Sequence, residues 1–144
     1  FGFDHLILRY ANVYGPRQNP KGEMGVIAIF GGLLKHGRRP AIFGSGKKTR
    51  DYIHIEDIVR ANVLGLTKGE DVELNLGCGV EISDKKVFET IARHYGYKNR
   101  PRYMAHRQGE VFRISLDSKK AKKVLGWTAK VSFDKGIAAT LKKL

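Results

Sequence analysis

Leu8-Arg9-Tyr10-Ala11-Asn12-Val13-Tyr14-Gly15-Pro16-Arg17-Gln18 runs from an apolar and aromatic stretch into a Gly-Pro turn. Such a run closed by Gly-Pro reads as the end of a strand. Further on, Thr49-Arg50-Asp51-Tyr52-Ile53-His54-Ile55-Glu56-Asp57 has the same form, with polar side chains next to an extended segment. Both stretches therefore offer anion-binding groups on strand ends. Between and after them lie segments of helical period, so the chain reads as α/β with short strands and helices in mixed order.

Working outward, His5 to Tyr10 is predicted as a strand entered from Phe1-Gly2-Phe3-Asp4. Ala11 to Met24 is predicted as a loop, marked by Gly15-Pro16, Asn19-Pro20 and Gly22. Val26 to Lys35 is a predicted helix, with Gly37 suited to its C-terminus. Pro40 to Phe43 and Thr49 to His54 read as two strands of a hairpin around Gly44-Ser45-Gly46-Lys47. Glu56 to Lys68 carries an apolar helical face, and Asp71 to Leu76 reads as a strand. Ser83 suits the N-cap of a helix over Asp84 to Tyr95. Arg102 to His106 is a short predicted strand. Asp117 or Ser118 is expected to cap a helix ending at Leu125, and Ser132 one from Phe133 to Lys143.

Length and composition limit the function classes. The chain has 144 residues, 42% of them hydrophobic, enough for one domain with a real core. No apolar run approaches the ~20 residues a membrane-spanning helix needs. The opening residues lack an initiator Met, a basic n-region and a cleavage site, as expected of a piece cut from a longer cytoplasmic protein. Cys78 is the single cysteine, so no internal disulfide and no thiolate zinc cage is expected. The formal net charge of +13 is compatible with a nucleic-acid module, a membrane-surface binder or a small-anion site. Its densest cluster, Lys119-Lys120-Ala121-Lys122-Lys123, reads as a solvated helix face. Interleaved aromatics and arginines of the kind that stack on bases are not evident.

The catalytic search is negative. No tyrosine is followed four positions later by lysine, no pair of histidines has metal-site spacing, and no catalytic or metal residue is expected. Three glycine patterns invite a cofactor reading. Leu74-Asn75-Leu76-Gly77-Cys78-Gly79 has Ile82 at the third glycine position, so a structural strand-to-helix turn is expected. Gly22 to Ala28 does not follow a strand, and Gly44-Ser45-Gly46 is hairpin chemistry.

Binding groups remain. The Arg50 guanidinium offers paired donors to phosphate oxygens, the alternative being an ion pair with Asp51 or Glu56. The Asn12 amide can donate to phosphate or close an Asx-turn. Gly25-Val26-Ile27 opens a helix whose free N–H groups favour an anion.

Taken in order, these segments resemble the nucleotide-sugar epimerases and dehydratases of the extended short-chain dehydrogenase/reductase family. The resemblance covers nearly the whole chain: Arg9-Tyr10-x-Asn12-Val13-Tyr14-Gly15-Pro16-x-Gln18, Gly22 to Phe30, Gly44-Ser45-Gly46 with Arg50-Asp51-Tyr52-Ile53-His54, Asn75-Leu76-Gly77-x-Gly79, Arg107-Gln108-Gly109-Glu110 and Leu125-Gly126-Trp127. It implies that residues 1–144 are the carboxyl-terminal sugar-nucleotide-binding domain of such an enzyme, without its Rossmann half. It implies NAD as cofactor, held mainly by that other half, and a UDP-sugar as substrate. Gly22 to Phe30 leans towards the epimerases that interconvert UDP-galactose and UDP-glucose through a 4-keto sugar. By the same resemblance Tyr10 would lie near nicotinamide and sugar, while Asn12, Arg50 and Arg107 would hold the diphosphate. Val26 and Ile27, with Ile42 and Phe43, would wall the uracil, Gly25 would belong to the same substrate site at the start of the helix, Tyr52 would support the pocket, and Glu110 would meet the ribose. The full-length enzyme would be a homodimer, and this chain alone inactive. A 4,6-dehydratase or decarboxylase of the same superfamily is the alternative, and a basic nucleic-acid module a more distant one.

Overall fold

The computed structural model describes residues 2–22 and 25–144. Phe1, at the entry to the first predicted strand, and Glu23 and Met24, at the end of the predicted loop, lie outside them. Seven strands and five helices are seen among the described residues. β1 (Leu6–Tyr10) pairs in parallel with β5 (Val72–Leu76), Tyr10 opposite Leu76. β2 (Asn12–Tyr14) pairs in parallel with β4 (Thr49–His54), which also pairs antiparallel with β6 (Glu81–Ser83). β3 (Ala41–Phe43) pairs in parallel with β7 (Arg102–Met104). The helices are α1 (Val26–Lys35), α2 (Ile55–Gly65), α3 (Asp84–His94), α4 (Lys119–Leu125) and α5 (Phe133–Leu141).

Side chains alternate across a strand, and in β4 that alternation separates two cores. Tyr52 joins Tyr14, Ile27, Phe30, Ile91 and Ile137 in a cluster built from α1, α3 and α5. Its neighbour Ile53 joins Ile58, Leu74, Leu76, Leu125 and Trp127 in a second cluster around β5, α2 and α4. Trp127, almost fully buried, donates its indole N–H to the Asp57 carbonyl at 2.8 Å. The first core is closed tightly at α5. The Tyr14 hydroxyl donates to the Phe133 carbonyl at 3.3 Å, and a Cβ on Gly136 would fall on that hydroxyl. Gly136→Ala is therefore expected to lower stability by about 1–3 kcal/mol, as overpacking does; an unmoved urea midpoint would show that Tyr14 swings away freely.

The expected hairpin is not formed. β3 pairs with β7 and β4 with β2 and β6, so residues 44–48 carry the chain from one small sheet to another. The turn itself stands, with φ of 72° at Gly44 and 74° at Gly46, and Gly44 N–H donates to the Met104 carbonyl. β2 lies inside the segment predicted as loop, and β6 was not expected at all. Three-residue strands carry too little pattern to stand out against Asn and Gly. Ser83 caps α3 by accepting from Lys86 N–H at 3.1 Å. Ser132 makes no side-chain capping bond. At α4 the Asp117 carboxylate takes the Lys119 N–H, while Ser118 Oγ bonds both backbone groups of Gly77. Lys119, Lys120, Lys122 and Lys123 are exposed and Ala121 is buried, which is a solvated helix face. No described helix is long and apolar enough to cross a membrane.

Candidate functional site

β4 supplies the base of the site. Lys48, Arg50 and Tyr52 alternate towards one side, where β2, the start of α1 and the start of α3 converge on a cleft of about 170 Å³. Six expected residues line it: Asn12, Gly25, Val26, Ile27, Arg50 and Tyr52. Lys48, Asp84 and Gln18 line it too and were not anticipated.

Arg50 is half-buried, and its guanidinium donates to the Thr49 carbonyl at 2.7 Å. The ion pair with Asp51 or Glu56 is not made; strand alternation turns Asp51 to the opposite face. Gly25 precedes α1 with φ 102°, and a Cβ there would lie 2.5 Å from Gln18 Nε2. The N-cap of α1 is Gly25, which makes no side-chain capping bond, and the first-turn N–H groups are the positive end of the helix. Tyr52 is buried in the first core, edge-on to Tyr14 with centroids 6.4 Å apart, and also reaches the cleft wall. Burial, helped by the nearby Asp84 charge, pushes its phenol far up, so it stays neutral.

Lys48 is the centre of an ion-pair chain. Its ammonium lies 2.8 Å from Glu110 Oε2 and 3.4 Å from Asp84 Oδ2. The Lys48 hydrogen bond holds Glu110 below the usual carboxylate range. Burial pushes the Asp84 carboxyl up, opposed by Lys48 and Arg50. Glu110 thus reaches the cleft through Lys48 rather than lining it. Arg107 does not enter the cleft: its guanidinium stacks 3.7 Å over the Phe43 ring. Ile42 does not enter either, because alternation in β3 buries it in the first core.

Tyr10 lies in an adjoining cleft of about 420 Å³, which shares Asn12, Val13, Gln18 and Gly25 with the first. Its hydroxyl donates to Asn62 Oδ1 at 3.0 Å. Asp51 borders this second cleft and holds the turn after β5. It accepts from Cys78, Gly79 and Leu116 N–H at 2.9, 3.0 and 3.1 Å. The turn therefore directs the Cys78 and Gly79 N–H groups to a carboxylate and that of Gly77 to Ser118 Oγ, leaving no phosphate cradle. Burial raises the Cys78 thiol to about 11, which keeps it unreactive. Among the described residues no group of His, Cys, Asp and Glu could hold a metal ion. The arrangement can bind and orient an anion next to a polar ring; it offers no activated nucleophile.

The sequence model described as GDP-mannose 4,6 dehydratase matches residues 1–140. The chain belongs to this family of nucleotide-sugar dehydratases and epimerases. Among its members, the UDP-glucose 4-epimerase of Mycolicibacterium smegmatis is 44% identical over 132 residues, 91% of this chain and 42% of that protein. The structure of the Thermotoga maritima UDP-glucose 4-epimerase with UDP-glucose is 42% identical, with a TM-score of 0.96 over 99% of this chain and 46% of that one. The Thermus thermophilus UDP-glucose 4-epimerase, solved with NAD, is 33% identical at a TM-score of 0.88 over 99% of this chain and 47% of that one. The chain thus spans less than half the length of these nucleotide-sugar epimerases. The α/β fold expected for the substrate-binding part of an extended short-chain dehydrogenase/reductase is the fold observed.

Proposed function

We propose that residues 1–144 form one sugar-nucleotide-binding domain, the carboxyl-terminal part of a UDP-glucose 4-epimerase. The complete enzyme interconverts UDP-galactose and UDP-glucose in cytoplasmic galactose metabolism and acts as a homodimer. The observation that carries this reading is the convergence of Asn12, Arg50 and the uncapped start of α1 on one cleft. Arg50 supplies a bidentate phosphate contact, Asn12 an amide donor, and the first-turn N–H groups of α1 a favourable field for negative charge. Val26, Ile27 and Tyr52 add apolar wall.

The work of this chain is to anchor. A UDP group held firmly lets the sugar turn over without leaving, so binding energy from an unreacting group positions the reacting one. NAD, bound by the remainder of the enzyme, supplies reversible hydride exchange at the sugar. The residues here do not fit the body of that cofactor, since the N–H groups of Cys78 and Gly79 after β5 are committed to Asp51 and that of Gly44 after β3 to the Met104 carbonyl. Tyr10, which lines the second cleft, would meet the nicotinamide and sugar. The catalytic Tyr and Lys lie elsewhere in the protein, and this chain alone turns nothing over. Ile7 on β1 and Val59 and Val63 on α2 are exposed apolar side chains suited to cover by the rest of the enzyme.

Arg50→Ala in the full-length enzyme is expected to weaken UDP-glucose binding by about 1–3 kcal/mol, the range for a charge-assisted hydrogen bond. An unchanged dissociation constant by calorimetry would remove Arg50 from the site. A 4,6-dehydratase reading is supported by the description of the family model that covers residues 1–140. Formation of a 4-keto-6-deoxy sugar, rather than a 4-epimer, would favour it.

A further inference from the structure

We propose that the groove between α3 and the segment from Tyr97 to Tyr103 docks an acidic polypeptide segment of a partner protein. The groove shares no lining residue with the Arg50 cleft, and the proposal stands apart from the nucleotide reading.

Sequence and strand pairing together build a face of one sign. No Asp or Glu occurs from residue 90 to residue 109, a run that holds Arg93, Lys98, Arg100, Arg102 and Arg107, and none from residue 24 to residue 50. The parallel β3–β7 pairing sets these two acid-free runs side by side, with Ala41 opposite Arg102. Arg93, Lys98 and Arg100 line a groove of about 680 Å³ there, and Lys85 lines it from the start of α3. Its one carboxylate, Glu89, is 3.8 Å from Lys85. Arg93, Lys98 and Arg100 are exposed and enter no salt bridge among the described residues. Three cations on one rim therefore lack a counter-charge.

The groove is held in shape by its own backbone. α3 closes on Gly96 at φ 64°, and Tyr97 N–H donates to the Ala92 carbonyl at 2.8 Å. The Arg39 guanidinium donates to the carbonyls of Arg100 and Pro101 at 2.8 and 3.2 Å, which fixes the segment carrying Lys98 and Arg100. Buried Phe88 and Ala92 form the floor with Tyr97, whose ring stands edge-on to Phe88 at 6.3 Å. An apolar floor under a basic rim suits a segment that lowers one apolar or aromatic side chain and lifts carboxylates to the rim. Lys85 and Arg93 are two turns apart on α3, about 12 Å, room for roughly three or four extended residues. A single nucleic-acid strand fits less well, since it needs a track of about 4–16 nucleotides with successive open rings. Tyr97 is packed on the core and against Phe88, so of the groove's rings Tyr103 alone stands half exposed.

Fluorescence anisotropy of a labelled peptide, one tryptophan flanked by glutamates, titrated with the full-length protein tests this. Binding should saturate and weaken as salt rises, and the same peptide with glutamine for glutamate should bind about 10-fold more weakly. Arg93→Glu with Arg100→Glu should weaken the glutamate peptide by about 10-fold, since two exposed ion pairs become repulsions. Lys120→Glu with Lys123→Glu makes the same change of net charge on α4 and should leave the affinity within about two-fold, because distant exposed charges are screened. All four side chains are exposed, and an unmoved urea midpoint shows that the variants fold. Absence of saturable binding by the wild type, equal binding of the glutamate and glutamine peptides, or equal loss in the two double variants overturns the proposal. Tighter binding of an oligouridylate than of the peptide, lost on Arg93→Glu with Arg100→Glu, overturns it in favour of a nucleic-acid face.

Discussion

Asp57→Ala is expected to lower the unfolding free energy by about 3–5 kcal/mol, the range for removing one partner of a buried charge pair. The Asp57 side chain is fully buried at the start of α2. Its carboxylate accepts from Lys130 N–H at 3.0 and 3.1 Å and from Val131 N–H at 3.0 Å, and pairs with Arg60 at 2.7 Å. An alanine leaves two backbone donors and a guanidinium without their acceptor. Arg60 is partly exposed and can return to water, so the backbone donors bear most of the loss. Asp57→Asn keeps the shape and one acceptor, and should cost roughly half as much, within the range for hydrogen bonds to charged groups. Urea titration of both variants measures the series. Equal midpoints for wild type and Asp57→Ala would mean that the segment after Trp127 is held by the indole alone.

Asp51→Ala is the second large effect, also about 3–5 kcal/mol, since three N–H groups lose a buried charged acceptor together. The same carboxylate joins the turn at Cys78 and Gly79 to the irregular segment at Leu116. The variant should therefore speed amide exchange at those three positions beyond the general loss of stability. Exchange that rises uniformly across the chain would rule out this local role. Gly77 is bound to the same arrangement, because a Cβ there would collide with Asp51 Oδ2.

Neither aspartate announced its task in the sequence. Adjacency in sequence points Asp51 only to Arg50. Its real partners are backbone N–H groups far along the chain, which no side-chain pattern marks. The hairpin failed for a related reason. Gly44-Ser45-Gly46 encodes a turn locally, but strand partners are chosen by burial, and β3 and β4 end in different sheets. Helices α1 and α3 were legible because long apolar periods and the Ser83 cap act within one segment. The cleft was legible on the face of β4 read for polar groups, where Arg50 and Tyr52 stood out. Lys48 sits on the same alternation, and extending the period of two by one step would have found it. In the sequence Asp84 reads only as the first residue of a helix, and its approach to Lys48 depends on the β4–β6 pairing.

Tyr52 and Ile53 are consecutive residues that belong to different apolar clusters. A strand shared in this way makes melting a joint affair: neither cluster can loosen without tugging its neighbour's wall. Damage far from the cleft, around Trp127 or Leu74, is expected to travel along one backbone segment and blunt the grip of Arg50.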